Sequence, residues 1–174
     1  MAPHRSIILN IHNYELSSAN LRDINLQLQR DLHDAHADPL RVHLLVAGDF
    51  NFLHPGEQRL SHSSPQRAQP LLRPQREHRP GQAALQPLLD QLTELAQPQA
   101  TYYDAAAMLV SRLDRVYSSL PGFVLTKLHM KAFLTKTPEA MQKTLFSDHA
   151  PVHCTVTAAR LLPAHARPIA AAIF

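Results

Sequence analysis

Three short stretches of this chain hold residue types that can do chemistry on an anionic substrate. They are Gly48-Asp49-Phe50-Asn51, Ser111-Arg112-Leu113-Asp114-Arg115-Val116-Tyr117 and Ser147-Asp148-His149. Asp49 can bind a hard cation or take a proton from water, and the Asn51 amide can donate to a phosphoryl oxygen. Asp148 and His149 set a carboxylate beside an imidazole, and Asp114 places an acid inside a strand-like segment. Each stretch also has an ordinary structural reading. Gly-Asp-Phe-Asn is a good turn, Asp148 a good cap, and Asp114 a natural surface partner for Arg112 or Arg115.

The elements that must position these residues follow from the hydrophobic pattern. Val42-His43-Leu44-Leu45-Val46-Ala47 reads as a buried strand that delivers Asp49 to its C-terminal end, where open α/β sheets usually keep their chemistry. Alternation along an extended chain predicts Asp49 and Asn51 on one face, with Leu113 and Arg115 opposite Arg112, Asp114 and Val116. A first strand over 7–12 ends with Asn10 and His12 on one face. Ser17-Ser18-Ala19-Asn20 offers helix caps, Leu21, Ile24, Leu28 and Leu32 recur at helical spacing up to about Ala37, and Pro39 blocks continuation. Strand, helix, strand in this order is a βαβ-like unit.

Residues 53–81 break the pattern. Pro55, Pro65, Pro70, Pro74 and Pro80 interrupt Gln, Ser, His and Arg, which predicts a disordered insert. Leu85, Leu88, Leu89, Leu92 and Leu95 then predict a helix from Gln82 that stops before Pro98. Strands are expected over 100–103, 111–118, 122–128 and 152–157. A polar loop is expected through Lys136, Pro138 and Lys143, and residues 158–174 read as a loosely attached tail.

At 174 residues the chain fits one domain, and 45% apolar residues suffice for a core. A single cysteine, Cys154, excludes an intrachain disulfide framework and suits a reducing compartment. No run reaches the ~18 apolar residues of a membrane helix, and the N-terminal apolar run is too short for a signal peptide. The expectation is an intracellular protein, nuclear or cytoplasmic. The net charge of +3 equals the surplus of five arginines over two glutamates between Phe52 and Gly81, so the whole excess lies next to the Asp49 strand end. Arg73, Arg76 and Arg79 there, with Arg112, are candidate contacts to backbone phosphates. A solvated insert is the plain alternative.

Taken together, in this order and with these flanking strands, the three stretches resemble the endonuclease/exonuclease/phosphatase (DNase I-like) superfamily. Ser-Arg-Leu-Asp-Arg-Val-Tyr is similar to its apurinic-endonuclease-like and non-LTR retrotransposon branch. The resemblance implies an α/β fold, a sandwich of two sheets flanked by helices, of which residues 1–157 match about the second half. It implies Asp49 as the residue that activates water, Asn51 beside it on the phosphate, and His149 on the phosphate with Asp114 fixing its tautomer. Asp148, with Asp49, would bind Mg²⁺ or Mn²⁺, and His12 would match a strand-end histidine. The family's first half supplies an asparagine and a metal-binding glutamate with no counterpart here. The resemblance therefore also implies poor metal affinity and an exposed apolar sheet face, covered by a missing half, a partner chain or a homodimer.

The expected activity is metal-dependent hydrolysis of a phosphodiester, DNA above all. Two alternatives remain open from the sequence. One is a phosphomonoesterase or phospholipid phosphodiesterase of the same superfamily, and the other a catalytically dead remnant that binds nucleic acid or a partner.

Overall fold

A computed structural model describes residues 5–13, 16–54, 57, 59–61, 64–68, 79–145, 147–156 and 170–173. Arg5–His12 (β1), Ser18–Ala37 (α1) and Val42–Asp49 (β2) make the expected βαβ unit. Leu60–Ser61 (β3), Ser64–Ala68 (β4), Arg79–Leu89 (α2) and Thr93–Glu94 (β5) come next. Tyr102–Asp104 (β6), Leu109–Ser111 (β7) and Asp114–Ser118 (β8) lead to Gly122–Lys127 (α3) and Lys131–Leu134 (β9). Pro138–Leu145 (α4), Val152–Thr155 (β10) and Ala170–Ile173 (β11) complete the described elements.

The chain is a mixed α/β protein with three sheets among its described residues, in the orders β1-β2-β8-β5, β11-β10-β9 and β4-β3-β7-β6. In the first sheet β2 runs parallel to β1 and antiparallel to β8, with His12 opposite Asp49 and Asp49 opposite Asp114. Gly48 makes the close approach of β1 tolerable. Its φ is +139°, and a Cβ there would lie 1.9 Å from the Ile11 carbonyl oxygen.

Both faces of the two central strands are packed. Leu28 and Leu32 of α1 and Leu85 and Leu89 of α2 meet Leu44, Val46 and Tyr117 on one side. Ala47 and Val116 meet Ala132, Val152 and Cys154 of the second sheet on the other. Each large side chain so buried contributes about 1.5–3 kcal/mol of transfer free energy. The apolar face expected to lie open is thus covered over β2 and β8. In this sheet the outward positions of β1 stay exposed, where Ile8 is 60% exposed among Ser6, Asn10 and His12.

The Ser17 side chain caps α1 by accepting from the Asn20 N–H, and the helix ends at Ala37 just before Pro39, as its pattern predicts. Several other elements differ. Residues 122–128, read as a strand, form α3, because a short apolar run carries no period that separates strand from helix. The polar loop through Pro138 contains α4, with Pro138 at the helix's first position, where its missing N–H costs nothing. The helix expected to reach Pro98 stops at Leu89, and Thr93–Glu94 pairs with β8 instead. The strand read over 111–118 is broken at Arg112 and Leu113 into β7 and β8, which lie in different sheets. Inside the proline-rich insert, β3 and β4 pair with each other, and Leu53 and Arg59 are buried. Within the segment read as a tail, Ala170–Ile173 pairs with β10.

No helix among the described residues is long and apolar enough to cross a membrane.

Candidate functional site

The register of the first sheet sets His12, Asp49 and Asp114 side by side on one face, at the C-terminal ends of β1 and β2 and the start of β8. His149 arrives from the loop before β10, through a bridge that pairs it with Tyr102. Its Nδ1 lies 2.9 Å from Asp114 Oδ2, and its Nε2 lies 3.9 Å from Asp49 Oδ2. His12 Nδ1 lies 3.8 Å from the same Asp49 oxygen, with its side chain 72% exposed. Asp49 is only 8% exposed. The imidazole of His149 is therefore held between two carboxylates, with a second imidazole approaching from solvent.

Local chemistry explains each placement. β2 ends at Asp49, and the chain turns at once. Asn51 has φ 52°, and its N–H donates to Asp49 Oδ1 at 2.8 Å. This Asx-type turn corrects the expectation that strand alternation carries Asn51 onto the face of Asp49. Asn13, fully buried, donates from its side chain to the Phe50 carbonyl, while its N–H donates to the Asp49 carbonyl at 2.8 Å. These bonds lock the ends of β1 and β2 together.

Asp114 is delivered by a residue that sequence reasoning missed. Buried Thr101 accepts at its Oγ1 from the N–H groups of both Leu113 and Asp114, each at 2.9 Å. Its carbonyl accepts from the Ala150 N–H, next to His149. Thr101 thus holds the break between β7 and β8 and ties it to the His149 loop. A threonine at a strand start carries no signal of that role. Tyr102, read only as part of a strand, sets its ring 4.9 Å from the His149 ring.

The electrostatics follow from this crowding. Burial, then the neighbouring charge of Asp114, pushes the Asp49 carboxyl above its ordinary value. Burial works against protonating His149, but its hydrogen bond to Asp114 and the surrounding aspartates more than offset this and raise its pKa. The Nδ1–H donated to Asp114 leaves Nε2 facing Asp49.

Asp49, Asp114 and His149 each offer one ligand atom within 4.8 Å of the others, a spacing one cation can span. Asp148, expected to share a metal with Asp49, is exposed and stands outside this group; its carbonyl accepts from the Tyr103 N–H. A cleft of about 180 Å³ adjoins the pair, lined by Val116, Met141, Pro151 and Val152 along with Ser147 and His149.

Of the arginines expected to meet phosphates, Arg112 is held elsewhere. Arg112 donates to Glu57, to Glu94 and to the Gln97 carbonyl, so its guanidinium is committed inside the protein. Arg115, fully buried, pairs with the same two glutamates. Both arginines meet the same partners because the break at Arg112 and Leu113 ends the alternation predicted for this stretch. Arg79 opens α2, and Arg73 and Arg76 lie outside the described residues.

No protein-family model, curated protein or solved structure matches this chain.

Proposed function

We propose that the chain is a metal-dependent phosphodiester hydrolase of the DNase I-like superfamily, acting on DNA as an endonuclease of the retrotransposon type. The observation that carries this reading is His149 seated between Asp114 and Asp49, with His12 on the same row of the sheet. A phosphodiester needs a base for water and donors for the phosphoryl oxygens, and this row supplies both. Asp49 accepts the proton of the attacking water. As the imidazolium, His149 donates from Nε2 to a phosphoryl oxygen, while Asp114 accepts from Nδ1 and holds the ring in place. His12 stands beside Asp49 for the remaining oxygens.

The donor set fits a hard divalent cation. Two carboxylates paired across β2 and β8 carry negative charge that the one imidazole seated between them balances only in part, and Mg²⁺ or Mn²⁺ takes such oxygens. A protonated imidazole repels a cation, so Asp49 and Asp114 would hold the ion and His149 would face the phosphate. When bound, the ion neutralises developing charge on the phosphoryl oxygens. Asp49 and Asp114 replace Asp49 and Asp148 as the proposed pair.

Relaxation of supercoiled plasmid by the purified chain tests this, with Mg²⁺ or Mn²⁺ against EDTA and an Asp49→Ala control. Nicking that needs the metal and disappears in the variant is expected. Equal nicking by parent and variant, or none from folded protein, defeats the proposal.

A further inference from the structure

We infer that the outer face of β9 and β10 is a binding face for single-stranded nucleic acid. The two strands pair so that Leu134 faces Val152 and Ala132 faces Cys154 on the core side. Phe133 faces His153 and Lys131 faces Thr155 on the other side, and the burial of the chain alternates accordingly. Phe133 is 39% exposed, an unusual placement for a large ring in mid-strand. Its ring stacks on that of His153 at 5.6 Å between centroids, and Thr135 Oγ1 lies 3.3 Å from His153 Nε2, which steadies the imidazole. Exposed Lys131 and Lys136 lie before and after Phe133 along the chain, and neither β9 nor β10 contains an acidic residue.

Two adjacent rings on an open sheet face, flanked by lysines, match what an unpaired base and its phosphates require. The π-faces of unpaired bases are free to stack, whereas in a duplex they are already stacked on one another. An acidic peptide would satisfy the lysines and leave the rings unused. The face also lies close to the candidate site. His153 is four residues beyond His149, no more than about 14 Å along the chain. The choice of nucleic acid rests on the hydrolase reading above. It narrows the substrate to DNA with an unpaired tract beside the cleaved bond.

Fluorescence anisotropy of a labelled oligothymidylate with the full chain, in EDTA so that nothing is hydrolysed, measures the binding. Phe133→Ala should weaken it about tenfold, and Phe133→Tyr should restore it. Lys131→Glu with Lys136→Glu should flatten the salt dependence. The duplex of equal length should bind more weakly, and polyglutamate should compete poorly. Unchanged affinity in the Phe133→Ala variant, with circular dichroism confirming its fold, overturns the inference, as does equal competition by polyglutamate. Plasmid nicking separates the two readings. Ring-dependent binding without nicking leaves this face standing and removes the hydrolase, while nicking with binding indifferent to Phe133 does the reverse.

Discussion

Asp114 and Arg115 are neighbours on β8, yet they belong to two charge clusters of opposite character. Arg115, with Arg112, meets Glu57 and Glu94, so that two cations face two anions. Arg115 is 1% exposed, and the cluster is closed by Tyr117, whose hydroxyl meets His54. Asp114 meets His149 and faces Asp49, so that two anions share one imidazole and a rim open to solvent. Burial opposes ionisation of Glu57, but its hydrogen bonds to Arg115 and Arg112 dominate and lower its pKa to about 2. Burial and Asp114 push Asp49 the other way. Balanced buried charge fixes a backbone. Unbalanced buried charge is a cost to folding, and it makes sense where a ligand completes it.

That contrast can be tested by removing charge from each side. Glu57→Ala leaves two guanidiniums, one fully buried, against Glu94 alone, and should cost roughly 3–5 kcal/mol in urea unfolding. The Glu57 contribution is present above its unfolded value of 4.5 and is lost as pH falls toward about 2, so acid unfolding of the variant should lack that component. A cost below 1 kcal/mol would mean that the closed cluster does not fix the strand.

Gly48→Ala acts on the backbone between the clusters, at the position opposite Arg115 in the register. With φ +139° and a carbonyl in the way of any Cβ, it should cost about 3 kcal/mol, seen as a lower melting temperature. Thr101→Val keeps the shape but leaves the N–H groups of Leu113 and Asp114 unpaired. About 2 kcal/mol is expected in denaturant melts, together with loss of plasmid nicking beyond what stability explains.

Asp49→Asn should do the opposite to stability. An acid whose pKa is raised on folding loses stability as pH rises through its unfolded value to its folded one, so ionised Asp49 is a net cost at neutral pH. The variant should gain about 1 kcal/mol while nicking disappears. Mn²⁺ should raise the melting temperature of the parent and not of the variant. The smallest effect belongs to His149. Its raised pKa contributes stability that is complete below 6.5 and fades as pH rises through the folded value. Asp114→Asn should bring the imidazole titration, followed by NMR, back toward its ordinary range.

The βαβ unit and the ends of its helix could be read from periodicity, the caps and Pro39, because these are local and repeat over many residues. The residue types of the site were equally visible, since Asp49, Asp114 and His149 lie in short polar stretches against apolar strands. Short segments were not readable in the same way. The run over 122–128 fits a strand or a helix, and packing made it α3. Asp148 and His149 look like one unit in sequence, but the pairing of Tyr102 with His149 aims the imidazole at Asp114 and leaves Asp148 exposed.

What composition and order decided for this protein is the identity of the reactive groups and the strand ends that carry them. Tertiary structure alone decided which of them meet. The row of His12, Asp49 and Asp114 exists only through the register of β1, β2 and β8, whose members are far apart in the chain. The break at Arg112 and Leu113 exists because Thr101, Glu57 and Glu94 satisfy its donors from other elements. Local preference is written along the chain, whereas hydrogen-bond and charge partners are chosen across it, where a buried donor must find an acceptor wherever one is near.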